Sequence, residues 1–182
     1  MTDKTLHVAA RNPQFETSDE LEVKQRIRSI MKIGQQYDIY LPGMETPAGY
    51  AHRGWNWPFA SCEIKIYSDQ TMVTELLHIK QRNGFDAWGI FDLYDSSNGE
   101  HVCTFTRMFW QGFLQRTWIV TDPTGKDLFK IQEDSILKSL IRRIGGNEIP
   151  FLLVLLRTNM NFRTLDGLTD FGELNRKLSL RD

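Results

Sequence analysis

The residues best suited to chemistry sit in three places. Lys138, Arg142 and Arg143 fall on one side of a helical stretch, Asp134 to Ile144, whose other side carries Ile136, Leu137, Leu140, Ile141 and Ile144. Two functions suit the cations: serving the negative C-terminal end of their own helix, or meeting an anionic headgroup at ~1 kcal/mol each, enough for weak peripheral attachment. Trp55, Trp57 and Phe59 form one aromatic cluster, and Phe109, Trp110 and Phe113 a second. In loops, such side chains either plug the end of a sheet structure or lie at a membrane interface. Histidines 7, 52, 78 and 101 lack metal-ligand spacing, and no metal or other cofactor is expected. Asp92 stands among apolar strand residues and is read as a pleat position facing solvent. Cys62 and Cys103 lack CxxC spacing and read as reduced, partly buried thiols.

The acidic clusters are turns rather than calcium loops. Asp95-x-x-Asn98 and Asp122 through Asp127 miss the EF-hand spacing and its bidentate Glu. No nucleophile elbow, Walker loop, HExxH or dinucleotide fingerprint occurs, so a non-enzymatic chain is expected. Gly145-Gly146 reads as a helix C-cap.

The elements that must position these residues are mostly strands. Alternating or β-rich runs cover Leu21–Arg28, Gln36–Leu41, Gly49–His52, Ser61–Tyr67 and Val73–Arg82. They continue through Trp88–Tyr94, Glu100–Thr106, Thr117–Thr121 and Lys126–Gln132, then Ile149–Arg157, Asn161–Leu165 and Leu174–Leu180. Trp88 and Trp118 read as core strand residues. Asn98-Gly99 and Asp122-Pro-Thr-Gly125 are hairpin signals, because Gly accepts positive φ and Pro presets the bend. Short strands at such spacing, with a turn signal between each pair, predict an antiparallel sandwich or barrel and argue against a doubly wound α/β sheet.

Bulk properties narrow the partners. The 182 residues carry a net charge of −1, with 41% apolar and 25% charged residues. From Ser135 onward there are 8 Lys/Arg against 5 Asp/Glu, an excess too small to attract nucleic acid. Residues 1–18 read as a flexible arm and 19–182 as one domain. The N-terminus has no apolar signal core, and the longest apolar run, Phe151–Leu156, is far shorter than the ~20 residues of a membrane span. A cytoplasmic protein is therefore expected.

Four segments, ELLHIKQR (75–82), FDLYDSSNGEHVCTFTR (91–107), WIVTDPTGKDLFKIQEDSILKSLIRR (118–143) and LNRKLSL (174–180), resemble the tubby-like superfamily. The nearest branch is that of the phospholipid-scramblase-like and LURP-one-related proteins. The resemblance runs from about Leu21 to the end and is densest over residues 75–143. It implies an antiparallel β-barrel of about twelve strands, with one short amphipathic helix at 134–144, wound around a hydrophobic C-terminal helix. The sequence stops at Asp182, before that central helix, so the expectation is either that the chain is a fragment or that its barrel is open with its interior filled another way.

The function implied is phospholipid or phosphoinositide binding at the membrane periphery. Lys138, Arg142 and Arg143 would contact the headgroup, with Trp55, Trp57, Phe109 and Trp110 at the interface. The alternative is an interaction or scaffold module whose open barrel holds an apolar ligand or a partner helix. Self-association is a further expectation for an open barrel.

Overall fold

A computed structural model of the chain describes residues 18–26, 34–54, 62–82, 89–108, 116–134 and 159–175. All secondary structure within these residues is strand. In chain order they are β1 (Glu22–Gln25), β2 (Gln35–Tyr40), β3 (Gly49–Arg53), β4 (Glu63–Tyr67), β5 (Glu75–Gln81) and β6 (Ile90–Asp95). The remainder are β7 (His101–Arg107), β8 (Thr117–Thr121), β9 (Asp127–Glu133), β10 (Met160–Arg163) and β11 (Asp170–Leu174). The 11 strands join in chain order, β1 through β11, as an antiparallel meander. Among the described residues β1 pairs only with β2, and β11 only with β10. The expected helix at 134–144 and the strand at 149–157 lie outside the described residues, apart from Asp134.

The chain divides into two compact units, one comprising residues 1–85, 91–103 and 182, the other residues 86–90 and 104–181. In the first, register sorts most side chains by face, with Arg53 opposite Ile64 and Asp95 opposite Leu77 as exceptions. Val23 lies opposite Ile39, and Tyr37, Ala51, Ile66 and Leu77 form one row across β2 to β5. Ile64, Ile79 and Leu93 form the next row. This is the apolar face, as the period of two requires. Its members differ in cover: Ile39 and Ala51 are buried, whereas Ile64, Ile66, Leu77, Ile79 and Leu93 are half-buried.

The second unit is built the same way. Phe105, Val120 and Phe129 share a row, and Trp118, Ile131 and Phe162 share its neighbour. Val120, at 0% exposure, is its centre. Phe129, Phe162 and Phe171 cluster, with Phe129 meeting Phe171 edge-on at 5.4 Å between centroids. Trp118 is half-buried rather than full core, with the Arg107 guanidinium 6.0 Å from its ring centroid. Its partner in expectation, Trp88, lies outside the described residues.

Two hairpin turns form where the sequence places them. Asp95 Oδ1 accepts from the Ser97 amide at 2.9 Å and the Ser97 hydroxyl at 2.6 Å, and Gly99 takes φ 72°. Asp122 Oδ1 accepts from the amides of Thr124 and Lys126 at 2.9 and 3.0 Å, and Gly125 takes φ 85°. Both aspartates act as backbone caps, the turn reading given to them above.

The C-terminal hairpin departs from expectation. β10 opens at Met160, one residue before the expected start at Asn161, and ends at Arg163 because Thr164 starts the next turn. There the Gly167 amide donates to the Thr164 carbonyl at 2.9 Å and the Thr164 amide to the Thr169 carbonyl at 3.0 Å. The following strand is Asp170–Leu174, and the expected strand at 174–180 lies, from Arg176 onward, outside the described residues. Its Gly172 lies opposite Phe162, and a bulge falls between Phe162 and Arg163.

Candidate functional site

The polar face of the first unit gathers most of its ionisable groups. Register places Gln36, His52, Lys65, His78 and Tyr94 in one row across β2 to β6. The His101 ring, on β7, continues it 5.4 Å from Tyr94. On one side lies a row of Lys24, Asp38, Tyr50, Tyr67 and Glu75. On the other lie Glu63, Lys80 and Asp92. Strand alternation brings them together: they occupy the even positions of β1, β2, β3, β5 and β6 and the odd positions of β4, and the bulge after Ile66 sets Glu75 opposite Tyr67 on the same face.

Two arginines hold the buried acids. Arg26 donates through Nε and Nη2 to Asp38 at 2.7 and 2.6 Å and lies 5.3 Å from the Tyr50 ring centroid. Arg82 donates likewise to Asp92 at 2.5 and 2.7 Å. These fork-to-carboxylate pairs have the geometry that only a guanidinium supplies. The hydrogen bonds to Asp38 and Asp92 raise the pKa of each arginine further, above an already high value. Burial raises the Tyr50 phenol. Asp92 is 4% exposed, which overturns its reading as a solvent-facing pleat position. Its burial is sustained because Arg82 closes over it from the chain end of β5 while His101 Nε2 approaches to 3.4 Å.

The centre of the face is a mixed cluster. Lys65 Nζ lies 3.1 Å from Glu75, which also accepts from the Ser96 hydroxyl at 2.8 Å. Lys65 is thereby held above its ordinary pKa. Burial works against the Glu75 charge, yet the Ser96 and Lys65 bonds outweigh it and leave the carboxyl below its usual range. His78 stands between two acids, with Nε2 3.6 Å from Glu63 and Nδ1 3.8 Å from Glu75. Neither distance is a hydrogen bond.

The thiols have different surroundings. Cys103 is 2% exposed, and burial together with the Asp92 charge pushes its thiol up to about 11. It is a protonated, enclosed group at neutral pH rather than a nucleophile. Cys62, 3% exposed, receives the Arg53 Nε–H at 3.1 Å, while its own amide donates to Gln81 Oε1. Neither cysteine forms a disulfide.

Around these groups the formal charges balance: Lys24, Arg26, Lys65, Lys80 and Arg82 against Glu22, Asp38, Glu63, Glu75 and Asp92. Chemically this is a surface for pairing with charges of either sign. Among the described residues no group of His, Cys, Asp or Glu has the arrangement of a metal site. Lys138, Arg142, Arg143, Trp55, Trp57, Phe109 and Trp110 all lie outside the described residues. The sequence reading of scattered histidines did not find this row. The signal that finds it is strand parity followed across hairpins, which needs the registers and not the residue types.

No protein-family model, curated protein or solved structure matches the chain.

Proposed function

We propose that this chain is a non-enzymatic, membrane-peripheral, cytoplasmic module that binds an anionic phospholipid or phosphoinositide headgroup, built on a tubby/scramblase-like barrel. The supporting observation is the antiparallel meander with Asp-capped hairpins at Asp95–Glu100 and Asp122–Lys126, the two hairpins on which the family resemblance rests. Lys138, Arg142 and Arg143 on the short helix at 134–144 supply the headgroup cations in this proposal. Trp55, Trp57, Phe109 and Trp110 supply the interfacial aromatics. Three cations at ~1 kcal/mol each give reversible attachment rather than stable anchoring.

The test is flotation of the purified chain with neutral and anionic vesicles at low and high salt. Binding to anionic vesicles alone is expected. It should weaken with salt and with Lys138→Ala, Arg142→Ala and Arg143→Ala combined. Absence of binding to any vesicle would overturn the reading.

A second reading, an interaction module whose open barrel holds an apolar ligand or partner helix, is favoured by one observation. Ile64, Ile66, Leu77, Ile79 and Leu93 are aligned on one face yet only half-buried. Equal binding to neutral and anionic vesicles, insensitive to salt, would select it.

A further inference from the structure

Among the described residues β1 is an edge, and its charge order is self-complementary. All four of its residues, and Leu21 before it, are exposed, with Leu21 at 52% and Val23 at 57%. Such an edge is a template for another strand; Glu22-Val23-Lys24-Gln25 contains neither proline nor bulge, and its charges, which turn away an arbitrary strand, admit one of complementary order.

The direction of its backbone groups follows from the ladder. The Arg26 amide donates to the Gln36 carbonyl at 2.9 Å, so that pair is hydrogen-bonded. By antiparallel alternation Lys24 and Glu22, opposite Asp38 and Tyr40, turn their amides and carbonyls toward β2. Leu21, Val23 and Gln25 turn theirs outward. A strand added at this edge must meet those three residues.

We propose that β1 pairs with β1 of a second copy of this chain, antiparallel about a two-fold axis at Val23. Val23 then hydrogen-bonds its symmetry mate, and Leu21 pairs with Gln25 at either end. Glu22 stands opposite the mate's Lys24, twice, at the non-hydrogen-bonded positions where facing side chains are closest. The contact is isologous, as a closed dimer requires.

Charge selects this register among those the outward groups allow. An axis at Glu22 sets Glu22 against Glu22, and one at Lys24 sets Lys24 against Lys24. An axis at Leu21 opposes Glu20 to Glu22, and one at Gln25 opposes Lys24 to Arg26. Only the Val23 axis opposes unlike charges throughout. Within one chain Lys24 Nζ already lies 3.3 Å from Glu22 and 4.3 Å from the Tyr40 ring centroid, so both charges stand on the face where the mates meet.

Sedimentation of the full chain over a range of concentrations tests this. The wild type should show a reversible monomer–dimer equilibrium. Glu22→Lys and Lys24→Glu should each weaken dimerisation by roughly tenfold or more, since each creates two like-charge contacts. The double variant, Glu22→Lys with Lys24→Glu, should restore it by reversing every pair. Val23→Pro should abolish dimerisation while preserving the β1–β2 ladder, because the amide removed is an outward one. Its far-UV spectrum would verify the fold. A wild type monomeric at every concentration would overturn the proposal, as would a dimer indifferent to Val23→Pro or one not restored by the double reversal.

Discussion

Arg82 and Asp92 illustrate how unequal the two ends of one ion pair are. The guanidinium end is 54% exposed as a side chain, and the carboxylate end is 6% exposed. Removing the arginine therefore strands a desolvated charge, whereas the arginine alone returns to water without penalty. Arg82→Ala should destabilise the chain by about 1–3 kcal/mol in urea unfolding, and Arg82→Lys should recover only part of that, since a lysine cannot grip both oxygens. Cys103 carries the clearest pH consequence. Its thiol is raised to about 11 in the fold from 9.0, so the unfolded chain loses that proton first. The thiol's contribution is fully present below about pH 9 and falls as pH rises toward 11. Cys103→Ala should flatten stability against pH in that window, although the smaller side chain lowers stability overall. Asp92 was legible as unusual and misread in direction, because its partners come from other strands and no local pattern names them.

At the scale of elements, the sequence is most informative where turn chemistry is local. Asp122→Ala removes an acceptor for the Thr124 and Lys126 amides and should cost about 1–2 kcal/mol in urea unfolding, with Gly125→Ala adding about 1 kcal/mol because φ 85° excludes a Cβ without strain. Strand alternation in β4 and β5 was equally legible, since Ile64, Ile66, Leu77 and Ile79 declare one face. β11 was not, for a physical reason. Asp170, Gly172 and Glu173 are poor strand formers, and pairing to β10 overrides their preference. The alternation just beyond, Leu174 to Leu180, is the stronger sequence signal, and from Arg176 onward it lies outside the described residues. The bulges after Ile66 and Val120 also escape sequence reading, as they depend on how two strands end together.

At the scale of the molecule, faces matter more than any one residue. The first unit's sheet sets most of its apolar groups on one face and most of its ionic groups on the other, with Arg53 opposite Ile64 and Asp95 opposite Leu77 as exceptions, and its two arginine-to-aspartate pairs lie on the ionic side. Mainly antiparallel β architecture was legible from turn spacing, but the gathering of His52, Lys65, His78 and Tyr94 into one line was not, because it accumulates over several registers. The meander has a further consequence. Every described strand pairs with the described strand immediately before or after it in the chain. Apart from the long connection between Glu133 and Met160, search distances during folding are then short, and the entropy lost on closing those loops is small. On a ribosome, β2 can clasp β1 before β3 has been synthesised, and each later strand adds to a ladder already standing. Such a chain has little need to hold sticky strands open while waiting for distant mates, and its order of assembly is written in the order of its translation.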